Sequence, residues 1–251
     1  MKNIIAITQA RFGSSRFPGK ILNTINNISL LEIHLKRVLN SKLINKLIVA
    51  TTNEAESFLI TTICEKLNIQ YFKGSTEDVL MRFYDSVKFE NPDYIVRLTS
   101  DCPLIDAEEI DNVIKFFLEN DLDYVSNSLN PTFPDGLDVE IFKYEALKIA
   151  NNSANLKSER EHVTSFIWKN SSYFGKKMFK ADCYLSKKDY SNYRITVDTL
   201  EDFLVIKQMV NLIGDDQPWL KYIELIANNK IKIFNSISQR NSGYSKSISN
   251  E

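Results

Sequence analysis

The sequence is poor in the residues that mark several common protein classes. It has seven glycines, three cysteines and two histidines among 251 residues. The cysteines, Cys64, Cys102 and Cys183, are odd in number, widely spaced and form no CxxC pair. This spacing excludes a zinc ribbon and a disulfide framework and indicates a reducing compartment. Because glycine is scarce, we expect each glycine to occupy a position where the backbone conformation is important.

Net charge and long apolar runs are also lacking. The 31 Lys and Arg residues against 32 Asp and Glu leave a net charge of −1, so we expect no nucleic-acid partner. No apolar run approaches the ~20 residues of a membrane helix, and the apolar residues 4–7 are too few for the core of a signal peptide. We therefore expect a cytoplasmic protein with no membrane partner.

Short apolar runs alternate with helix-length amphipathic segments in the first half of the chain. The runs are rich in β-branched or aromatic residues and predict strands over residues 3–8, 46–51, 93–99 and 122–126. Apolar residues at three-to-four spacing predict helices over residues 30–39, 54–67, 77–89 and 108–119. This order predicts an α/β fold with a mostly parallel central sheet, helices on both faces and sites beyond the carboxyl ends of the strands.

The pattern is looser after residue 130. Residues 137–142 alternate like a half-exposed strand, residues 158–169 and 200–212 predict helices, and residues 194–197 predict a short strand. No linker divides the chain, so we expect a single domain over residues 1–234. The Ser- and Asn-rich residues 235–251 are expected to form a flexible tail.

A basic loop, QARFGSSRFPGK, follows the first predicted strand at residues 9–20. Its cations and glycines are Arg11, Arg16, Lys20, Gly13 and Gly19. Arginine forks and a lysine point charge bind phosphate oxygens, and glycines let backbone N–H groups approach them. The loop therefore predicts a phosphate site, with a basic surface loop as the alternative. It is not a Walker A loop, since Gly13 and Gly19 enclose five residues instead of four and Ile21 replaces the hydroxyl that binds magnesium.

Two aspartates follow predicted strands. Asp101 lies just after residues 93–99, and Asp198 directly follows residues 194–197. Carboxylates at strand ends are good ligands for Mg²⁺, and two could hold one ion if their strands are neighbours. The alternative for Asp101 is that it caps a turn or the next helix, whereas Asp198 is free for another role. Asp106 is the better cap candidate, and Thr199 with Asp202 fits a capping box only loosely.

Asp121-Leu122-Asp123 spells the DxD motif of metal-dependent glycosyltransferases. In those enzymes the motif follows an apolar strand, whereas here it precedes one. We therefore interpret it as a helix-to-strand turn.

Four further polar residues are candidates for a site or for the core. Asp138 and Glu140 would share one face of a strand. His162 lies in a charged cluster and fits a site or the surface equally well. His34 lies between apolar residues of a predicted helix, which indicates a structural role.

Several motifs together resemble a known family. The stretch ARFGSSRFPGK at residues 10–20 resembles the N-terminal signature of the CMP-sugar-acid synthetases, which include the cytidylyltransferases for 3-deoxy-manno-octulosonate. The remaining motifs are similar to the branch of cytidylyltransferases like spore coat polysaccharide biosynthesis protein F: GSTEDVLMR at residues 74–82, RLTSDCP at 97–103, DGLDVE at 135–140, EHVT at 161–164 and VDT at 197–199. The resemblance spans about residues 3–212.

The resemblance implies a Rossmann-like nucleotidyltransferase fold of GT-A type. It implies transfer of CMP from CTP to a sugar acid, or to a related anionic or phosphorylated precursor of a surface polysaccharide or glycan, with release of pyrophosphate. The cofactor would be Mg²⁺, held by Asp101 and Asp198, and a homodimer is possible. The alternative is a nucleotide-sugar-dependent glycosyltransferase of polysaccharide biosynthesis, which shares the architecture.

The resemblance also assigns roles to residues by position. The catalytic residues would be Arg11, Arg16, Lys20, Asp101 and Asp198. The nucleotide would be bound by Ala10, Arg11, Gly13, Ser14, Lys20, Thr51, Thr52, Asp78, Arg82 and Thr99. The acceptor would be bound by Asp138, Glu140 and His162. The acceptor half matches less closely, because Asp101 lies in Ser-Asp-Cys-Pro where the octulosonate enzymes have Gly-Asp-x-Pro.

Overall fold

The computed structural model describes residues 2–14 and 16–232; the predicted tail over residues 235–251 lies outside the described residues. The strands are β1 (Ile4–Gln9), β2 (Thr24–Ile25), β3 (Ile28–Ser29), β4 (Lys46–Thr52), β5 (Gln70–Gly74), β6 (Tyr94–Thr99), β7 (Tyr124–Ser126), β8 (Glu140–Lys143) and β9 (Ala181–Cys183). The helices are α1 (Leu30–Val38), α2 (Ser57–Lys66), α3 (Val79–Val87), α4 (Ala107–Glu119), α5 (Tyr144–Ser153), α6 (Lys157–Glu161), α7 (Ser165–Lys169), α8 (Leu200–Ile213) and α9 (Trp219–Ala227).

Among the described residues, the central sheet has seven strands in the order β5-β4-β1-β6-β8-β7-β9. Strand β1 pairs in parallel with both β4 and β6, and β4 pairs in parallel with β5. Strand β8 runs antiparallel to both of its neighbours, β6 and β7. The prediction of a mostly parallel sheet is confirmed, and the reversed strand β8 is a feature that the sequence pattern did not reveal.

Helices cover both faces of this sheet, as predicted. Along β1, Ile4 and Ala6 belong to the core that includes residues of α1, α4, α8 and α9. The alternate residues Ile5 and Ile7 belong to the core formed with α3 and α5. Side chains of a strand point alternately to opposite faces, so a strand buried on both sides is apolar at every position. This explains the unbroken apolar run of β1.

The predicted strand over residues 137–142 is wrong in its bounds, since β8 begins only at Glu140. Leu137 and Val139 are buried, but the Leu137 carbonyl and the Val139 N–H bond to one side chain instead of a strand. The Asn127 amide donates to the Leu137 carbonyl at 2.7 Å and accepts from the Val139 N–H at 2.9 Å. This amide supplies the hydrogen bonds that a neighbouring strand would have made.

Two other predicted elements also differ from the structure. The single helix expected over residues 158–169 is split into α6 and α7, because Val163 between them adopts a left-handed backbone with φ of 52°. Residues 194–197 are not a strand. Apart from one bridge between Arg194 and Asp135, their backbone bonds to loops, with the Val197 N–H donating to the Asp101 carbonyl.

The smaller sequence-based assignments agree with the structure. The Asp106 carboxylate caps α4 by accepting from the Glu108 N–H at 2.9 Å. Asp121 and Asp123 lie between α4 and β7, where Asp121 has a φ of 46° and Asp123 pairs with Lys143. The DxD stretch is therefore a helix-to-strand turn. The three cysteines are buried and form no disulfide, and no helix among the described residues is long and apolar enough to cross a membrane.

Candidate functional site

The structure brings Asp101 and Asp198 together, although 97 positions separate them in the sequence. The Asp101 carbonyl accepts from the Val197 N–H at 2.8 Å and from the Thr196 hydroxyl at 2.9 Å. These bonds hold the segment before Asp198 against the turn that follows β6. The two carboxylates meet beyond the carboxyl ends of the parallel strands, where sites of this fold class form.

The Lys20 ammonium lies between these two carboxylates. Its Nζ donates to Asp101 Oδ2 at 2.9 Å and to Asp198 Oδ1 at 2.8 Å. Burial raises the pKa of Asp101, but Lys20 more than offsets this and holds that pKa at about 2. The pKa of Lys20 is lowered by burial, yet the two carboxylates raise it overall. Lys20 and Asp101 are therefore both charged at neutral pH.

The backbone before Lys20 needs a glycine. Gly19 has a φ of 67°, and a Cβ added there would lie 3.1 Å from the Phe12 ring. A side chain would be both strained and crowded at this position. Gly19 thus lets the basic loop turn tightly enough to direct Lys20 into the site.

Arg194 organises the carboxylates from behind, a role that the sequence analysis missed. Its guanidinium donates to Asp198 Oδ2 and Asp202 Oδ1, each at 2.9 Å, and forms an ion pair with Asp135. Burial lowers the pKa of Arg194, but these carboxylates raise it overall. Arg194 therefore fixes Asp198 Oδ2 and leaves Oδ1 on the Lys20 side.

Arg194 pairs with Asp135 and with Asp198, and the chain segments that carry these two aspartates pass very close to each other. Gly136 has a φ of 113°, and a Cβ there would lie 2.6 Å from the Thr196 nitrogen. Asp202 is fully buried and completes a capping box with Thr199, so the box that the sequence fitted only loosely is formed. Asp198 takes no part as the helix cap, which leaves its carboxylate in the site, as the sequence analysis expected.

A cavity of about 410 Å³ opens beside the two aspartates. Its lining includes the carboxylates of Asp101 and Asp198 and all three predicted acceptor residues, Asp138, Glu140 and His162. The rest of the lining comprises Arg16, Arg97, Thr99, Cys102, Ser128, Leu129, Asp135, Thr164, Trp168, Phe174 and Thr196. The structure thus places the predicted acceptor residues next to the predicted metal ligands.

Glu140 belongs to a buried network in the wall of this cavity. Its carboxylate accepts from Arg97 at 2.6 Å, from the Tyr124 hydroxyl at 2.8 Å and from the Thr164 hydroxyl at 2.9 Å. Burial lowers the pKa of Arg97, but Glu140 raises it overall, so the guanidinium is charged. Glu140 holds Arg97 in place. A charged residue inside an otherwise buried strand was the sequence signal that could have identified Arg97.

His162 and two aromatic rings form another part of the wall. Burial lowers the pKa of His162, so its ring is largely neutral at pH 7. The rings of Trp168 and Phe174 lie 5.3 Å apart between centroids, and Phe174 is half exposed. Apolar ring faces beside hydrogen-bonding groups suit a ligand that has both polar and apolar faces. The sequence analysis had assigned no role to either ring.

A second cluster lies where Arg11 of the basic loop comes near Arg82 of α3. Arg82 is buried, and its Nε has no hydrogen-bond partner among the described residues. Burial lowers the pKa of Arg82 to about 10, and the neighbouring Arg11 cation contributes to this lowering. Two neighbouring cations make a favourable place for an anion.

The remaining residues predicted to bind the nucleotide differ in their burial and hydrogen bonding. A Cβ added to Gly13 would lie 4.0 Å from Glu54 Oε1, so this glycine has open space around it. Ser14 follows Gly13 in the loop. Ala10, Thr51 and Thr52 are buried, and the Thr51 hydroxyl has no hydrogen-bond partner among the described residues. The Thr52 hydroxyl donates to Glu54 at 2.9 Å. That Ala10, Thr51 and Thr52 contact the nucleotide stays a prediction.

Asp78 is engaged in holding the fold. Its carboxylate caps α3 by accepting from the Met81 N–H at 2.9 Å, and it binds Arg160 with both oxygens. Thr99, in contrast, lines the cavity with Asp101. That Asp78 contacts the nucleotide stays a prediction.

The metal-binding capacity of the site rests on two carboxylates. Among residues 2–14 and 16–232, no three His, Cys, Asp or Glu side chains are grouped to hold a metal. Mg²⁺ commonly takes one or two carboxylates and completes its shell with water and substrate phosphates. Asp101 and Asp198 already share one cation, the Lys20 ammonium, so their oxygens fit such an ion.

His34 supports the Asp101 turn from the core. The fully buried ring lies 2.9 Å from the Cys102 carbonyl through Nδ1 and 3.0 Å from the Thr8 hydroxyl through Nε2. The carbonyl can only accept, so Nδ1 carries the proton and Nε2 accepts from Thr8. Burial lowers the pKa of His34 to about 4, which confirms a structural role.

This histidine predicts acid sensitivity. The unfolded chain protonates His34 below its ordinary pKa of 6.5, whereas the folded protein does so only near 4. The free energy of unfolding should therefore fall by about 3 kcal/mol as the pH drops from 6.5 to 4 because of this group. Urea unfolding at several pH values measures the loss, and NMR titration follows the ring directly. His162→Gln is the control that leaves one histidine; a His34 ring titrating near 6.5 in that variant would contradict the assignment.

Comparison with known proteins places the chain among related sequences and structures. The sequence profile of a family described as cytidylyltransferase matches residues 5–239. Protein MJ1063 of Methanocaldococcus jannaschii is 40% identical over 219 residues, covering 85% of this chain and 86% of the relative. The spore coat polysaccharide biosynthesis protein SpsF of Bacillus subtilis is 32% identical over 231 residues, covering 90% and 93%. A cytidylyltransferase structure from Leptospira borgpetersenii superposes with a TM-score of 0.88 at 32% identity, covering 96% of this chain and all of that one.

Proposed function

Because this chain belongs to the cytidylyltransferase family, we propose that it transfers CMP from CTP to an anionic sugar precursor and releases pyrophosphate. The acceptor would be a sugar acid or a phosphorylated precursor of a surface polysaccharide or glycan. The observation that carries the proposal is the junction at Lys20. There, Lys20 of the cationic loop pairs with the carboxylates of Asp101 and Asp198, and both aspartates line the cavity.

The cationic loop suits the triphosphate. Arg11 lies close enough to Arg82 to lower the pKa of the Arg82 guanidinium, and a phosphate group between them would relieve this repulsion. Lys20 and Arg16 lie beside Asp198 and can turn toward phosphate oxygens. Because the protein performs no covalent chemistry in such a transfer, positioning and charge neutralisation are its main contributions.

Asp101 and Asp198 are the residues that would hold Mg²⁺. The bound ion would stabilise charge on the α-phosphate and lower the pKa of an attacking hydroxyl. Arg194 keeps the Asp198 carboxylate oriented for this role through the 2.9 Å bond to Oδ2.

The cavity beside the aspartates suits the acceptor. Arg97 and Arg16 are the cations in its lining and can attract a carboxylate or phosphate group. An acceptor oxygen would attack the α-phosphorus of CTP in line with the departing pyrophosphate. A carboxylate or phosphate acceptor is already ionised and needs no base. For a sugar hydroxyl, the neutral His162 ring can accept the proton.

Thermal unfolding with CTP, UTP, GTP and ATP, each with and without Mg²⁺, tests the nucleotide half. At about 100 times the dissociation constant, CTP should add roughly 2.7 kcal/mol to the free energy of unfolding. For a chain of this size that corresponds to a rise in Tm of roughly 5–10 °C. The shift should be selective for CTP, larger with Mg²⁺ and much smaller in Lys20→Ala.

Lys46→Ala is the matched control, since Lys46 pairs with Glu90 at 2.7 Å at the other end of β4. It should retain the full CTP shift. No shift with any triphosphate, together with a shift by a nucleotide sugar, would favour a glycosyltransferase. A positive result leads to a screen for acceptors by pyrophosphate release.

A further inference from the structure

The cation between the two carboxylates comes from the chain itself. Lys20 Nζ lies 2.9 Å from Asp101 Oδ2 and 2.8 Å from Asp198 Oδ1. Its side chain is only 12% exposed. An ion that bound these two oxygens at the ~2.0–2.1 Å typical of Mg²⁺ would need the space that the ammonium occupies. Lysine and metal therefore exclude each other at this position.

The surrounding charges add to this competition. Asp198 Oδ1 also pairs with Arg16 at 3.0 Å, and Asp198 Oδ2 accepts from Arg194 at 2.9 Å. Both oxygens of Asp198 thus already bind cations. A divalent ion approaching the free protein would have to displace the ammonium while the two guanidinium groups repel it. The affinity of the free protein for a metal ion should therefore be low.

An anion can reverse this balance. Lys20 and Arg16 both belong to the basic loop, and Arg11 of the same loop lies near Arg82. A triphosphate bound along this loop offers Lys20 and Arg16 new oxygen partners. Once the ammonium moves to the phosphates, Asp101 Oδ2 and Asp198 Oδ1 are available, and the phosphates themselves supply further metal ligands.

We propose that Lys20 occupies the metal position in the free protein and that the nucleotide triphosphate withdraws it. This inference rests on the proposed function for the identity of the triphosphate. Metal ion and nucleotide then bind together. When no nucleotide is bound, Asp101 and Asp198 hold no divalent ion. Removing the Lys20 side chain should therefore have two opposite effects. It should weaken the binding of nucleotide, and it should strengthen the binding of metal ion when no nucleotide is present.

Mn²⁺ binding to the full chain without nucleotide tests this proposal. Electron paramagnetic resonance of free Mn²⁺ gives the dissociation constant directly. Lys20→Met should bind one Mn²⁺ at least about tenfold more tightly than the unmodified protein, because the competing charge is gone. Lys20→Gln should show the same direction of change and provides a second variant if the first folds poorly. Lys20→Arg keeps the charge and should bind Mn²⁺ as weakly as the unmodified protein.

Two controls make the result specific. Lys46→Met removes a lysine from another ion pair, that with Glu90, and should leave Mn²⁺ binding unchanged. Adding Asp101→Asn to Lys20→Met should abolish the gain. Tight Mn²⁺ binding by the unmodified protein, equal to that of both uncharged Lys20 variants, would overturn the proposal. If the gain appears but CTP produces no thermal shift, the competition stands and the proposed function fails.

Discussion

Asp101→Asn and Asp198→Asn should each lower the rate of pyrophosphate release by about 10²-fold or more, while the fold survives. Asparagine keeps the size of the side chain but removes the charge that binds a metal ion, and electrostatic stabilisation usually contributes more to catalysis than any other single effect. Because the pKa of Asp101 is about 2, its charge is present over the whole working pH range, so the loss in Asp101→Asn should not depend on pH. Initial rates with CTP, Mg²⁺ and an acceptor that the unmodified protein uses provide the measurement.

Asp123→Asn is the matched control for these two variants. Asp123 lies in the DxD stretch, where its carboxylate pairs with Lys143 at 2.9 Å and accepts from the Lys180 N–H at 2.8 Å. The variant should keep nearly normal activity. A large loss in Asp123→Asn would favour a glycosyltransferase-like site, and a nearly normal rate in Asp101→Asn or Asp198→Asn would remove that residue from the metal site. Circular dichroism and Tm establish that each variant is folded.

Arg194→Met should lower the free energy of unfolding by about 3–5 kcal/mol, the usual cost of removing one partner from a buried ion pair. The Arg194 side chain is 10% exposed and pairs with three carboxylates, of which Asp202 is fully buried. Methionine fills much of the space but removes the cation that these three carboxylates share. Urea unfolding at neutral pH measures the loss, provided that the m-value is unchanged.

Arg160→Met provides the comparison for Arg194. Arg160 also forms a two-oxygen ion pair with an aspartate, Asp78, but the two side chains are 20% and 29% exposed. Water screens this pair more, so its loss should cost about 1 kcal/mol. A cost below about 1 kcal/mol for Arg194→Met would show that Arg194 is not the organising cation of the site. Arg194→Met should also reduce turnover, since Asp198 loses the group that orients Oδ2.

The sequence pattern predicted some strands and helices closely and did not reveal others. Strands β1, β4 and β6 and helices α1 to α4 lie within a few residues of their predicted bounds, since each has a clear periodicity. Strands β5 and β9 and helices α5 and α9 were not predicted. Over residues 137–142 the predicted alternation was real, but the Asn127 side chain takes the place of a strand until β8 begins at Glu140.

For the site, the sequence indicated candidate residues but not which of them meet. Arg11, Arg16 and Lys20 were recognisable because cations and glycines crowd one loop, and Asp101 because it follows an apolar strand. Arg194 had no such signal, since its function depends on Asp135, Asp198 and Asp202 being around it. The partners of Glu140, which are Arg97, Tyr124 and Thr164, are also distant in sequence, and that Glu140 binds the acceptor stays a prediction.

The sequence by itself determined the alternating α/β architecture, the basic loop and the family resemblance, because each is expressed in residues near one another along the chain. The tertiary structure alone decided the reversal of β8, the cavity beside the aspartates and the position of Lys20 between Asp101 and Asp198. Those two contacts join residues 81 and 178 positions apart. Hydrophobic periodicity records which face of an element is buried, whereas contacts over such separations depend on how the whole chain is packed.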